Sequence, residues 1–270
     1  MTYPGGKNGA GVYQQLINLM PPHHTYVEPF LGSGAVMRMK RPARYSIGID
    51  ADAPALEAFR STSSSALAWG DRGGLKLIHG DSVEFLKSYP WRGGELVYCD
   101  PPYVMSSRLQ ARPIYRCEMT DEQHETLLRT LVQLPRTGPR AVMAMVSGYY
   151  SELYARYFDA CAWRHVTFQA MTRGGTPATE YVWMNYPEPL ELHDYRYLGR
   201  DFRERERIKR KKLRWRAKLE GMPALERYAI LSEIEELREL TATGGDVGRV
   251  ERHARRGRVK AAPLAGRDDA

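Results

Sequence analysis

Cysteine is scarce in this 270-residue chain, and its three copies, Cys99, Cys117 and Cys161, form no CxxC spacing. An odd, unpatterned set argues against a zinc site or a disulfide framework and suits a reducing compartment. Long apolar runs are missing too. No stretch approaches the roughly 20 residues of a membrane span, and the opening MTYPGGKNG lacks the apolar core of a signal peptide. A cytoplasmic protein that does not engage the membrane is therefore expected. There is no internal repeat, no GxGxxG, and no phosphate loop, since no lysine follows the one glycine-rich turn.

What is present is ordinary apolar content, 43%, enough to bury a full core in one domain with some length left over. The net charge is +8, and its placement matters more than its size. Between Arg200 and Lys218 stand eleven Lys/Arg and three Asp/Glu, so the rest of the chain is neutral. Such a segment is either a solvated, self-pairing helix or a nucleic-acid contact on an otherwise neutral enzyme.

Short apolar runs ending at Val27, Ile49, Ile78 and Tyr98, and another over 141–146, each precede a small or acidic residue and a stretch of helical spacing. Strand, turn and helix in repetition predict a parallel α/β sheet covered on both faces. Residues 153–157 read as helix. Residues 163–170 and 180–186 read as two strands joined by a turn at 173–177, which would add an antiparallel edge. Composition shifts near Pro187-Glu188-Pro189. Beyond it, 201–219 reads as a charged helix, and Pro223 opens a second one to about Leu240. There Leu225, Tyr228, Leu231 and Ile234 predict an apolar stripe packed on a neighbour. From 241 the sequence predicts disorder. The expected organisation is thus a domain over 1–190, a basic helical extension over 191–240 and a tail over 241–270.

Four strand ends carry chemistry. Val27-Glu28-Pro29-Phe30-Leu31-Gly32-Ser33-Gly34 can bring backbone N–H groups close to a ligand, although a lone GxG also serves tight turns for structural reasons. Asp50, closing the second run, is placed to accept both hydroxyls of a ribose, and Asp52 suits a helix cap. Asp81 can cap the helix after it or reach an adenine moiety. The fourth run ends in Asp100-Pro101-Pro102-Tyr103. Two prolines fix a rigid turn whose carbonyls stay free to accept. With Asp100 they can hold the hydrogens of an aromatic amine while Tyr103 stacks on its ring, as a base drawn into a pocket requires. A nucleophilic role for Cys99 is the weaker reading, because a small apolar residue suits that buried strand end.

In this order the motifs resemble those of the Dam-type DNA adenine N6-methyltransferases, with Tyr3-Pro4-Gly5-Gly6-Lys7 similar to that family's aromatic-x-Gly-Gly-Lys opening. The resemblance covers roughly residues 1–186. It implies a Rossmann-like, seven-stranded S-adenosylmethionine-dependent methyltransferase fold, mostly parallel with an antiparallel edge strand, followed here by the basic extension. It implies that Tyr3, Lys7, Asp50 and Asp100 contact the cofactor S-adenosylmethionine, with Glu28, Pro29, Phe30, Gly32 and Gly34 as the floor and Asp81 near its adenine. Asp100, Pro101, Pro102 and Tyr103 would be catalytic, in a direct methyl transfer to a flipped adenine without metal.

The chain departs from that family in one respect. Asp81 and Asp100 are 19 positions apart, which leaves no room for the family's recognition insertion. Contact with DNA is then expected from the loop 105–118, through Arg108, Arg112, Tyr115 and Arg116, although such a loop can also serve simply to cover the pocket. The basic helix would add Arg207, Lys209, Arg210, Lys211, Lys212 and Arg214. Recognition would be short or degenerate, as suits a compact, solitary, phage- or prophage-like enzyme with no obligate protein partner. An RNA adenine methyltransferase would share the catalytic residues. Cytosine or protein-glutamine methylation is disfavoured by Asp100, and a non-catalytic DNA-binding scaffold by the intact Asp50, Asp100 and Tyr103.

Overall fold

The computed structural model describes residues 6, 7, 9, 11–62, 74–108, 114–171 and 175–242. Tyr3, Arg112, part of the 173–177 turn and almost all of the expected tail lie outside the described residues. The chain divides into two compact units, 1–208 and 209–270.

In the first unit, strands β1 (Thr25–Glu28), β2 (Tyr45–Asp50), β3 (Gly74–His79), β4 (Glu95–Cys99), β5 (Met143–Gly148), β6 (Arg164–Met171) and β7 (Pro177–Met184) form one sheet, ordered β3-β2-β1-β4-β5-β7-β6. β1 to β5 are parallel, and β7 runs antiparallel between β5 and β6. This is the strand order of the seven-stranded methyltransferase fold. The expected antiparallel pair is present, but β7 already begins at Pro177, inside the stretch that composition assigns to a turn. Proline is tolerated there because it opens the strand.

The alternation of strand side chains builds two cores, one on each face. Val97 and Cys99 of β4, with Ala144 and Val146 of β5, face α4 (Ser82–Ser88), α5 (Asp121–Val132) and α6 (Glu152–Ala160). Leu96, Tyr98 and Met145 point the other way, toward α1 (Val12–Ile17), α2 (Ala35–Met39) and α3 (Ala53–Thr62). β4 lies between β1 and β5, buried along its whole length, so whatever follows Cys99 is held by both cores.

Packing continues beyond the compositional shift at 187–189. Asp194 accepts from the Arg41 main-chain N–H at 2.8 Å, the Arg196 guanidinium donates to the Met39 carbonyl at 2.8 Å, and Asn18 donates to the Tyr197 carbonyl at 2.7 Å. This strap ties residues 193–197 to the α1–α2 side of the domain.

The charged helix α7 (Phe202–Glu220) has no buried residue, and α8 (Ala224–Ala242) follows it. The expected packed stripe is not found: Leu225, Tyr228, Leu231 and Ile234 are all exposed. Their spacing of three explains this. Each step of three residues falls about 60° short of a full turn, so the four side chains spiral around the helix and offer no single face. Among the described residues no helix is long and apolar enough to cross a membrane.

Candidate active site

β1 ends in a tight turn that two glycines make possible. Gly32 and Gly34 adopt φ of 48° and 60°, the left-handed region that favours glycine. A side chain at Gly34 would also meet the Phe59 ring at 2.3 Å. The turn is closed by the Gly34 N–H donating to the Leu31 carbonyl at 2.6 Å, and Ser82 Oγ donates to the Pro29 carbonyl. Asp50, at the end of β2, accepts from the Gly32 N–H at 2.6 Å and the Asp52 N–H at 2.8 Å. Burial holds its pKa above the ordinary carboxylate value, opposed by those hydrogen bonds. Asp52 starts α3 through its carbonyl, which accepts from the Ala55 N–H at 2.9 Å. Asp81 caps α4, accepting from the Val83 and Glu84 N–H groups, both at 2.8 Å.

These strand ends open on one cavity of about 350 Å³. Lys7, Glu28, Phe30, Gly32, Asp50, Asp81, Asp100 and Pro102 all line it, so eight of the residues expected to hold the cofactor or the amine meet at one place. Pro29 and Gly34 shape the turn behind the wall. Pro101 is buried in the turn after β4. The volume is within the range of small-molecule sites, roughly 300–1,000 Å³. Its lining is strongly acidic: Glu28, Asp50, Asp81, Glu84, Asp100 and Glu118 face it, with Lys7 as the one cation among the described residues.

At the inner end, Lys7 Nζ lies 2.9 Å from Asp100 Oδ1 and 2.7 Å from Glu180 Oε1, and it donates to the Tyr103 hydroxyl. The Tyr103 hydroxyl in turn faces Glu180, at 3.1 and 3.2 Å from its two oxygens. Burial alone would lower the Lys7 pKa, but Asp100 and then Glu180 outweigh it and keep the amine an ammonium. Asp100 is pushed up to about 6, chiefly by burial, with Lys7 opposing the rise. Ser147 Oγ donates to Asp100 Oδ1 at 3.1 Å and sits 2.9 Å from the Tyr98 hydroxyl. Glu28, accepting from the Tyr26 hydroxyl at 2.9 Å, is raised by burial to about 8 and is mostly protonated at neutral pH. Glu180 and Ser147 are members of the site that sequence reading missed. A lone acid in the apolar run of β7 is the one signal that could have exposed Glu180, because buried acids are rare unless paired.

The loop after Tyr103 departs from the first of its two expectations, phosphate contact, and agrees with the second, because Tyr115, Cys117 and Glu118 line the cavity. Arg108, expected to face a nucleic acid, is turned inward with its side chain 5% exposed. Its Nε donates to the Tyr103 carbonyl at 2.9 Å, and its guanidinium forks onto Glu118, which also accepts from the Ile114 and Tyr115 N–H groups. A planar fork suits such bidentate pairing, so Arg108 braces the loop and is not a surface cation here. Tyr115 lines the cavity. Arg116 is exposed, 3.7 Å from Asp52. Arg207, Lys209, Arg210, Lys211, Lys212 and Arg214 are exposed along α7.

No protein-family model and no curated protein matches the sequence. Among solved structures, the N-methyltransferase NodS from Bradyrhizobium japonicum is 11% identical over 65% of this chain and 94% of its own, with a TM-score of 0.44. The magnesium protoporphyrin IX methyltransferase of Synechocystis, solved with bound SAM, is 12% identical over 64% and 74%, at 0.40. Precorrin 8w decarboxylase from Methanobacterium thermoautotrophicum is 14% identical over 67% and 91%, at 0.41. At these values the likeness is loose, and the strand order itself defines the fold.

Proposed function

We propose that the chain is a DNA adenine N6-methyltransferase of the Dam-type class that uses S-adenosylmethionine. The observation that carries this reading is the Asp100-Pro101-Pro102-Tyr103 turn at the end of the central strand, whose Asp100 and Pro102 line the same cavity as the glycine turn and Asp50.

The acidic lining fits the cofactor, which bears a sulfonium and an amine. Asp50 is positioned to take the ribose hydroxyls, Glu28, Phe30 and Gly32 form a floor, and Asp81 stands at the adenine end. Lys7 and Asp100 close the reactive end. When bound, S-adenosylmethionine supplies an electrophilic methyl group and leaves as a neutral thioether. The remaining work falls to the chain. Asp100 and the turn carbonyls accept hydrogens from the exocyclic amine, which aims its lone pair at the donor. The amine sheds one proton on becoming methylated, and Asp100, with a pKa near 6, accepts it as a hydrogen-bonded weak base that returns it to water. Tyr103, held at its hydroxyl by Lys7 and Glu180 and lying 4.4 Å from the Tyr149 ring, offers a fixed aromatic wall for the base.

DNA contact is assigned to α7 and to the exposed Arg116, and recognition is short or degenerate because no recognition domain separates Asp81 from Asp100. Expression in a methylation-deficient host, followed by base-resolution mapping of methyladenine, tests the reading. Methyladenine at short or degenerate sites supports it; a long, strict site contradicts the specificity proposed. Labelled-methyl transfer to structured RNA but not to duplex DNA would reassign the substrate.

A further inference from the structure

Two carboxylates converge on one ammonium beneath the cavity. Asp100 Oδ1 lies 2.9 Å and Glu180 Oε1 2.7 Å from Lys7 Nζ, and the three side chains are 17%, 3% and 6% exposed. One carboxylate is enough to neutralise one lysine. The second leaves a surplus negative charge where solvent cannot screen it, which is unfavourable unless something cationic completes the group. Glu180 is not a chance neighbour. It sits on β7, two strands from β4 and one position before Tyr181, which pairs with Gly148 of β5. Among the described residues no arginine or second lysine joins Lys7 on the cavity wall.

We propose that Glu180 is a positioning residue that sets the charge of the Lys7–Asp100–Glu180 cluster to minus one, so that the pocket selects a sulfonium ligand over its neutral thioether. The inference rests on the methyl-donor reading above. On this view Asp100 is balanced by Lys7, and Glu180 supplies the unmatched charge while holding Lys7 and the Tyr103 hydroxyl in place. The charge also favours turnover, because methyl transfer converts a cationic ligand that the site prefers into a neutral one that it holds less tightly.

The test is the ratio of affinities for S-adenosylmethionine and S-adenosylhomocysteine, measured by calorimetry at pH 7 with the full chain and no nucleic acid. The ratio cancels contacts common to both ligands. Wild type is expected to prefer the sulfonium. Glu180→Gln should narrow the preference about tenfold, the scale of one removed charge. Lys7→Gln, which leaves two unmatched carboxylates, should widen it. The double variant Lys7→Gln/Glu180→Gln restores a net charge of minus one and should return the ratio toward wild type. A purely structural Glu180 would weaken both ligands alike, so a ratio unchanged in Glu180→Gln overturns the proposal. If Glu180→Gln does not fold, Lys7→Gln decides: a ratio that fails to widen overturns it. Failure of wild type to bind either ligand is a different outcome, which removes the methyl-donor reading and this inference with it.

Discussion

Lys7 Nζ lies 2.9 Å from Asp100 Oδ1, so the acid of the proline turn is paired with the lysine of the chain's opening segment, 93 positions earlier. This pairing joins two motifs that the sequence shows only as separate words. It also moderates Asp100: burial raises its pKa to about 6, and Lys7 keeps the rise from being larger.

Activity should therefore depend on ionised Asp100. Methyl transfer is expected to fall as pH drops below about 6, approaching tenfold per pH unit, because the protonated acid no longer accepts from the amine. Asp100→Asn keeps the shape and removes the charge. It should cost roughly 10²–10³ in rate, the scale of removing one electrostatic stabiliser of the transition state, and its residual activity should lack the acid limb. A variant with an unaltered pH profile would remove Asp100 from the chemistry.

Glu28 makes a stability prediction whose sign is fixed by its environment. In the folded chain it loses its proton near 8, against 4.5 for a free side chain, chiefly because it is buried. Between those values the folded state holds more protons than the unfolded one, so stability falls as pH rises through that window and levels off above it. Glu28→Gln should abolish this slope, leaving the variant more stable than wild type well above pH 8 by on the order of 5 kcal/mol. Thermal melting of both proteins from pH 5 to 9 measures the difference. Parallel curves would show that Glu28 ionises normally.

Much of the site was legible in the sequence because strand ends were. A buried parallel strand followed by glycine, an acid or two prolines is a local pattern, and seven residues at such strand ends line one cavity, with Lys7 added by the resemblance of the opening segment. Glu180 was not legible in the same way, because its role depends on β7 pairing with β5, a non-local fact that no spacing records. Arg108 was misread for a related reason. Its charge suggested solvent or phosphate, but Glu118, ten positions on, captures it. The α8 stripe failed differently: counting apolar residues at intervals of three overlooked the angular drift that carries them around the helix.

The Arg108–Glu118 pair predicts a variant that damages the site without touching a ligand. Burial alone would raise the Glu118 pKa, but Arg108 and the main-chain N–H groups of Tyr115 and Ile114 outweigh it and hold the pKa at about 2. Arg108→Ala should destabilise the protein by roughly 2 kcal/mol, below the range for a fully buried pair, and should loosen the cavity wall that Tyr115 and Glu118 form. The expected signature is weaker cofactor binding with no change in the salt dependence of DNA binding. A reduced salt slope would instead return Arg108 to the phosphate-contacting set.

Helix α7 makes the opposite prediction. Arg210, Lys211 and Arg214 are exposed on a helix with no buried residue, so replacing them with glutamine removes charge without removing packing. If they neutralise phosphates, each releases counterions on binding, and the slope of log K against log salt should decrease by about 0.9 for every phosphate left without its cation. A triple substitution should therefore weaken DNA binding strongly at low salt and little at high salt. Turnover at saturating DNA should stay near wild type, because the reacting groups are set by β4 and the Lys7 cluster. Binding isotherms at several salt concentrations separate the alternatives: an unchanged slope means that α7 is only a solvated, self-pairing helix, and the polyanion must then be held elsewhere.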